Sequence, residues 1–176
     1  IAMHALYITA FSFHVVSIFN DAGIDKAKAM AIFIPSSVIT VAIAFVAGWL
    51  SDHLPLKYFL FILMLGMGTS MTGILMLDQS LGYYMAIAGN GIAGGTFGLL
   101  MSVTWPRFYG RRHLGAISGF HMTWVVAFSA IGPTLFGLGF AWRHTYQAPT
   151  AICITALVVL FVLAVKMREP DMQLSN

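Results

Sequence analysis

His4, His14, Asn90 and His121 each fall inside an apolar stretch of the 176-residue chain. Ionisable and strongly polar groups are costly at membrane depth, and where they persist they mark a path for a solute or an ion. An imidazole titrates near about pH 6.5, so it can carry a proton or, once charged, meet an anion. On an α-helix with about 100° between residues, His4 and His14 stand about 80° apart around the axis and can border one cavity without touching. His121 lies about two turns inside its stretch. Asn90 can hydrogen-bond a carboxylate. Each also has a plainer reading, as a neutral side chain satisfied by a neighbouring helix. The expectation is a solute or proton path drawn from His14, His121, Asn90 and His4.

A second cluster is charged. The stretch Gly48-Trp49-Leu50-Ser51-Asp52-His53-Leu54-Pro55-Leu56-Lys57 joins two apolar runs. Asp52 is an anion suited to a helix N-terminus, worth about 0.3–1 kcal/mol there. Lys57, Arg107, Arg111 and Arg112 are its candidate counter-charges, and such a cluster can latch one face of a bundle. Gly48 allows close helix contact. The plainer reading is a polar turn flanked by bases that set topology.

Other chemistries find little support. Ser118-Gly119 near His121 suggests an intramembrane serine protease, but that nucleophile motif is Gly-x-Ser-Gly, and Gly115-Ala116-Ile117-Ser118-Gly119 is one residue too long. The six histidines are scattered and lack the spacing of a metal box. No Gly-x4-Gly-Lys-Ser/Thr loop is present for a nucleotide. Cys153 is the single cysteine and lies in an apolar run, where packing explains it. The expectation is no catalysis, no metal and no cofactor.

These residues must be held by elements, and composition says which. Hydrophobic residues make up 59% of the chain and charged residues 9%, against about 25% charged in a soluble domain. A bilayer core takes about 20 apolar residues per helix. Six spans are predicted, at 1–20, 27–50, 56–77, 82–105, 114–140 and 148–167. In lipid, backbone groups in apolar runs of this length are satisfied by helices. The fold class is therefore all-α integral membrane.

Lys57, Arg107, Arg111, Arg112, Lys166 and Arg168 fall on one side, and Lys26, Lys28 and Arg143 on the other. Bases accumulate on the cytoplasmic side, which places the 51–56 and 106–113 loops and the C-terminus there, in a plasma (inner) membrane. The net charge of +3 is explained by this topology without a nucleic-acid partner. Gly91/Gly95 and Gly94/Gly98 are small residues four apart, the spacing of close helix packing. Gly132-Pro133 and Pro35 are expected to bend the fifth and second spans.

The loop Gly48–Lys57 resembles the signature loop of the major facilitator superfamily, Gly-x-Leu-Ala/Ser-Asp-Arg-x-Gly-Arg-Arg. Gly48, Leu50, Ser51, Asp52 and Lys57 match; His53, Pro55 and Leu56 depart. The stretch from Trp105 to Gly119 looks like the inner loop before the penultimate helix of monocarboxylate and oxalate:formate antiporter-like members. The resemblance implies two inverted three-helix repeats forming the C-terminal half of a twelve-helix transporter, with the N-terminal half missing. The first, second, fourth and fifth spans would face the cavity or the other half, and the third and sixth would lie peripherally.

The function so implied is alternating-access secondary transport of a small solute, such as a monocarboxylate, by proton symport or antiport. The partners are the solute, the bilayer and the other half. All nine Lys and Arg lie at span ends or in loops, so any cationic site for a carboxylate must come from the other half or from a protonated histidine. A self-contained six-helix homodimer, acting as channel or half-size transporter, is the alternative.

Overall fold

A computed structural model describes residues 1–166. Its helices are α1 (Ala2–Asp21), α2 (Lys26–Ala31), α3 (Phe33–Ser51), α4 (Leu56–Leu75), α5 (Ser80–Tyr109), α6 (Leu114–Arg143) and α7 (Gln147–Lys166). Six spans are long and apolar enough to cross a membrane, with Lys26–Ser51 counted as one. The chain is all-helical through the described residues. Arg168 and the last residue of the sixth predicted span lie outside them.

The second span, expected over 27–50, runs from Lys26 to Ser51. Asp25 caps α2 by accepting from the Ala27 and Lys28 amides at 2.7 and 3.1 Å. The helical hydrogen bonding is interrupted at Ile32, whose backbone stays helical (φ −59°, ψ −30°), and resumes as α3. Pro35 has no amide hydrogen to return to the carbonyl four residues back, Ala31, where α2 ends. Pro35 itself sits in the first turn of α3, where proline is tolerated.

Helix pairing follows backbone access. Gly66 and Gly73 of α4 face α5, and a methyl at either would lie 2.8 Å from the Ala93 nitrogen or 2.6 Å from the Ala86 nitrogen. On another face of α5, a methyl at Gly91 would meet Ile39 Cβ at 2.5 Å, and one at Gly95 would meet the Thr40 carbonyl at 2.6 Å. Helices this close gain dispersion contacts that lipid cannot supply. Ser36 Oγ donates to the Ile87 carbonyl at 3.2 Å and Thr40 Oγ1 to the Gly91 carbonyl at 3.2 Å. The packing assigned to Gly91 and Gly95 is therefore against α3. Gly94 adds a looser contact with Thr40, while Gly98 is exposed and a methyl there would meet nothing within 4 Å.

Other helix pairs include α1 on α6, α4 on α7 and α6 on α7, with smaller contacts of α5 on α6 and on α1. Exchanging the first three spans for the last three turns the α1–α6 pair into the α5–α3 pair, and both are extensive. Tyr7 joins α1 to α4 through a 2.6 Å hydrogen bond to Ser70 Oγ. α4 packs along the length of α5 as well as on α7.

Candidate functional site

We call the end holding residues 52–55 and 110–113 the basic end. Here α3 stops at Ser51, whose Oγ donates back to the Gly48 carbonyl at 2.8 Å. The Ser51 carbonyl, freed at the helix terminus, accepts from Arg107 Nη1 of α5 at 2.6 Å. A guanidinium is well placed there, because the C-termini of α3 and α5 both carry partial negative charge. Lys57 Nζ likewise donates to the Val165 carbonyl, near the end of α7, at 3.0 Å.

Asp52 differs from expectation. It is the exposed C-cap of α3 rather than a residue at a helix N-terminus, and among the described residues it has no ion-pair partner. Arg107 binds the neighbouring carbonyl instead. Arg111 and Arg112 are exposed in the α5–α6 connection. A methyl at Gly48 would have nothing within 4 Å, so this glycine makes no close helix contact. The signature loop thus brings Ser51 and Arg107 together and leaves its carboxylate outward.

His14 stands between α1, α6 and the start of α7. Its Nε2 lies 3.0 Å from the Pro133 carbonyl and its Nδ1 lies 3.2 Å from the Tyr146 hydroxyl. A carbonyl only accepts, so Nε2 carries the hydrogen and Nδ1 accepts from Tyr146. Both nitrogens are occupied in joining neighbouring elements.

One turn before Gly137, Pro133 also lacks an amide hydrogen for the Ser129 carbonyl. Thr9 Oγ1 of α1 lies 2.9 Å from that oxygen, with the Ala5 and Leu6 carbonyls at 2.7 and 3.1 Å sharing the same hydroxyl. Gly132 makes this approach possible, since a methyl there would collide with the Leu6 carbonyl. α6 stays helical through Gly132-Pro133, with the Thr9 hydroxyl of α1 within reach of the carbonyl that proline leaves without a donor. Thr9 and Tyr146 escaped the sequence reading, although a proline in a span always signals a carbonyl four residues back that needs a donor.

His4, Asn90 and His121 do not form one cluster. His4 is buried with its ring 4.6 Å from Phe97, and Asn90 is buried on α5. His121 lies 4.7 Å from the Trp105 ring, where α5 and α6 border a cleft of about 480 Å³. Ser118 Oγ donates to the Leu114 carbonyl of its own helix.

No curated protein and no solved structure matches the chain. The profile of the Major Facilitator Superfamily matches residues 1–176. With six apolar helices, the signature loop at the end of α3 and a match over its whole length, the chain belongs to the major facilitator superfamily of transporters.

Proposed function

We propose that these six helices act as one half of an alternating-access transporter, closing against a second six-helix unit around a small solute. The observation that supports this is a row on α6. Gly119, Thr123, Ala127, Ala130 and Thr134 recur at spacings of three and four and are all exposed. A face turned to lipid has no need of small residues, whereas a face that meets another helix does. α3 presents Ser37, Val41 and Ala44 in the same manner.

The basic end is the cytoplasmic side in this reading, and Asp52 is the carboxylate that pairs across the interface when that side closes. The solute is a small organic anion such as a monocarboxylate, moved with or against protons. The spans offer no Lys or Arg at depth, so its counter-charge comes from the second unit or from an imidazole. The resemblance of Trp105–Gly119 to the monocarboxylate-type inner loop supports the solute class. A homodimer of this chain is the second reading, since the α6 row could equally meet its own copy.

Ala127→Trp in the complete protein tests the interface. A bulky ring in the middle of the row should abolish uptake while the helix content is retained. Uptake at the wild-type rate would mean that lipid covers this face.

A further inference from the structure

α6 and α7 touch near the end opposite the basic one, where a methyl at Gly139 would lie 2.8 Å from the Pro149 ring. Beside that contact they leave a cavity of about 690 Å³, walled by Leu135, Leu138 and Trp142 of α6 and by Ala148 and Ile152 of α7. Among the described residues, Arg143 is the one charged side chain that borders it. A second cavity, of about 840 Å³, adjoins at Ile152 and continues past Thr155 to Val159, with Phe128 of α6 and Met3 of α1 beside it. Ala148, Ile152, Thr155 and Val159 recur at spacings of four, three and four, so one face of α7 forms this wall. The Thr155 hydroxyl donates to the Ala151 carbonyl at 2.9 Å, which leaves the wall apolar in effect.

The depth and the charge of this groove select an occupant. Trp142 is 85% exposed at the end of its span, and an indole so placed sits at the level of lipid headgroups. Arg143 follows it and is exposed; its guanidinium lies 6.0 Å from the Trp142 ring, and among the described residues no carboxylate pairs with it. Asp21 and Asp78, at the same end, border a different cavity beside Thr145 and Gln147. From Ala148 to Val159 the groove runs about 17 Å at 1.5 Å per residue, close to the roughly 15 Å of one leaflet's hydrocarbon. Leu135, Leu138, Gly139 and Trp142 stand about 100° around α6 from the row of small residues between Gly119 and Thr134. A second six-helix unit meeting that row would therefore leave the groove open to the bilayer.

We propose that this groove holds one anionic phospholipid of the leaflet opposite the basic end. One acyl chain lies between α6 and α7 against Ala148 and Ile152, and the phosphate accepts hydrogen bonds from Arg143. A planar guanidinium can offer two parallel N–H donors to phosphate oxygens, and bases beside clefts between spans recognise anionic headgroups in this way. The site does not depend on the transporter reading.

Photolabelling of the complete protein in nanodiscs tests this. Phosphatidylglycerol carrying a diazirine on one acyl chain is compared with phosphatidylcholine carrying the same chain, and labelled residues are located by mass spectrometry. The segment 135–152 should take several times more label from phosphatidylglycerol, while exposed Leu65 of α4 should be labelled equally by both. Arg143→Gln should abolish the preference, and Ala148→Phe, which fills the groove, should lower labelling by both lipids. Equal labelling of 135–152 by the two lipids in the wild-type protein would mean that bulk lipid merely wets the groove, and would overturn the site. An undiminished preference in Arg143→Gln would overturn the role of the guanidinium. Loss of the preference in excess soluble glycerol phosphate would make this a site for free anions and overturn the lipid.

Discussion

Replacing Gly132 by alanine should force α1 and α6 apart. The added methyl would overlap the Leu6 carbonyl and lie 3.0 Å from Thr9 Oγ1. Backbone carbonyls of a helix cannot swing aside, so the axes must separate. That movement would stretch the Thr9–Ser129 contact of 2.9 Å and the His14–Pro133 contact of 3.0 Å towards the limit of useful hydrogen bonds. Overpacking with partial loss of two hydrogen bonds gives about 2–4 kcal/mol of destabilisation. Gly98→Ala is the internal control, because its methyl meets nothing within 4 Å. It should be neutral or stabilising by up to about 1 kcal/mol through helix propensity. The assay is the unfolding free energy of each variant, measured by steric trapping in bicelles. A Gly132→Ala protein within about 0.5 kcal/mol of wild type, inside the ordinary range for surface substitutions, would refute the close-contact account.

Three further outcomes follow from the same geometry. Tyr146→Phe removes one hydrogen bond to His14 and should cost about 0.5–1.5 kcal/mol, and His14→Ala should cost more; a double-mutant cycle in thermal unfolding should show the two effects coupled, whereas simple additivity would deny the contact. Arg107→Ala leaves the α3 terminus without its charged donor and should cost about 1.5–3 kcal/mol, with Arg107→Lys recovering part of it, as read by unfolding in detergent. Asp52→Asn should leave stability within about 0.5 kcal/mol, since the carboxylate is exposed and unpaired among the described residues. It should nevertheless alter transport or the thiol accessibility of the basic end; unchanged kinetics and unchanged accessibility would remove Asp52 from the gate.

The spans were legible because hydropathy is summed over many residues and tolerates local exceptions. Predicted and observed ends of the first span, 1–20 against Ala2–Asp21, differ by a residue. Pro35 was legible as a disturbance of the hydrogen bonding, since proline leaves the carbonyl four residues back without its donor. Gly91/Gly95 and Gly94/Gly98 share a spacing of four, yet Gly91 and Gly95 meet α3 closely while Gly98, one turn nearer the basic end, is exposed. That distinction depends on where α3 lies around α5. The counter-charges of Asp52 were hard to read for a related reason: of six bases assigned to one side of the bundle four were candidate partners, and the sequence does not reveal that Arg107 reaches the Ser51 carbonyl. His14 showed the limit most clearly, because its partners are the Pro133 carbonyl and a tyrosine 132 residues away.

Solute counterflow tests the central claim most directly. Proteoliposomes holding the complete protein are loaded with an unlabelled small carboxylate, diluted, and given a trace of the labelled compound outside, across a panel of such solutes. An alternating-access carrier returns its site to the outside loaded, so the label should rise above equilibrium and then fall, saturably. A linear flux without overshoot for every solute would describe a channel and contradict the account.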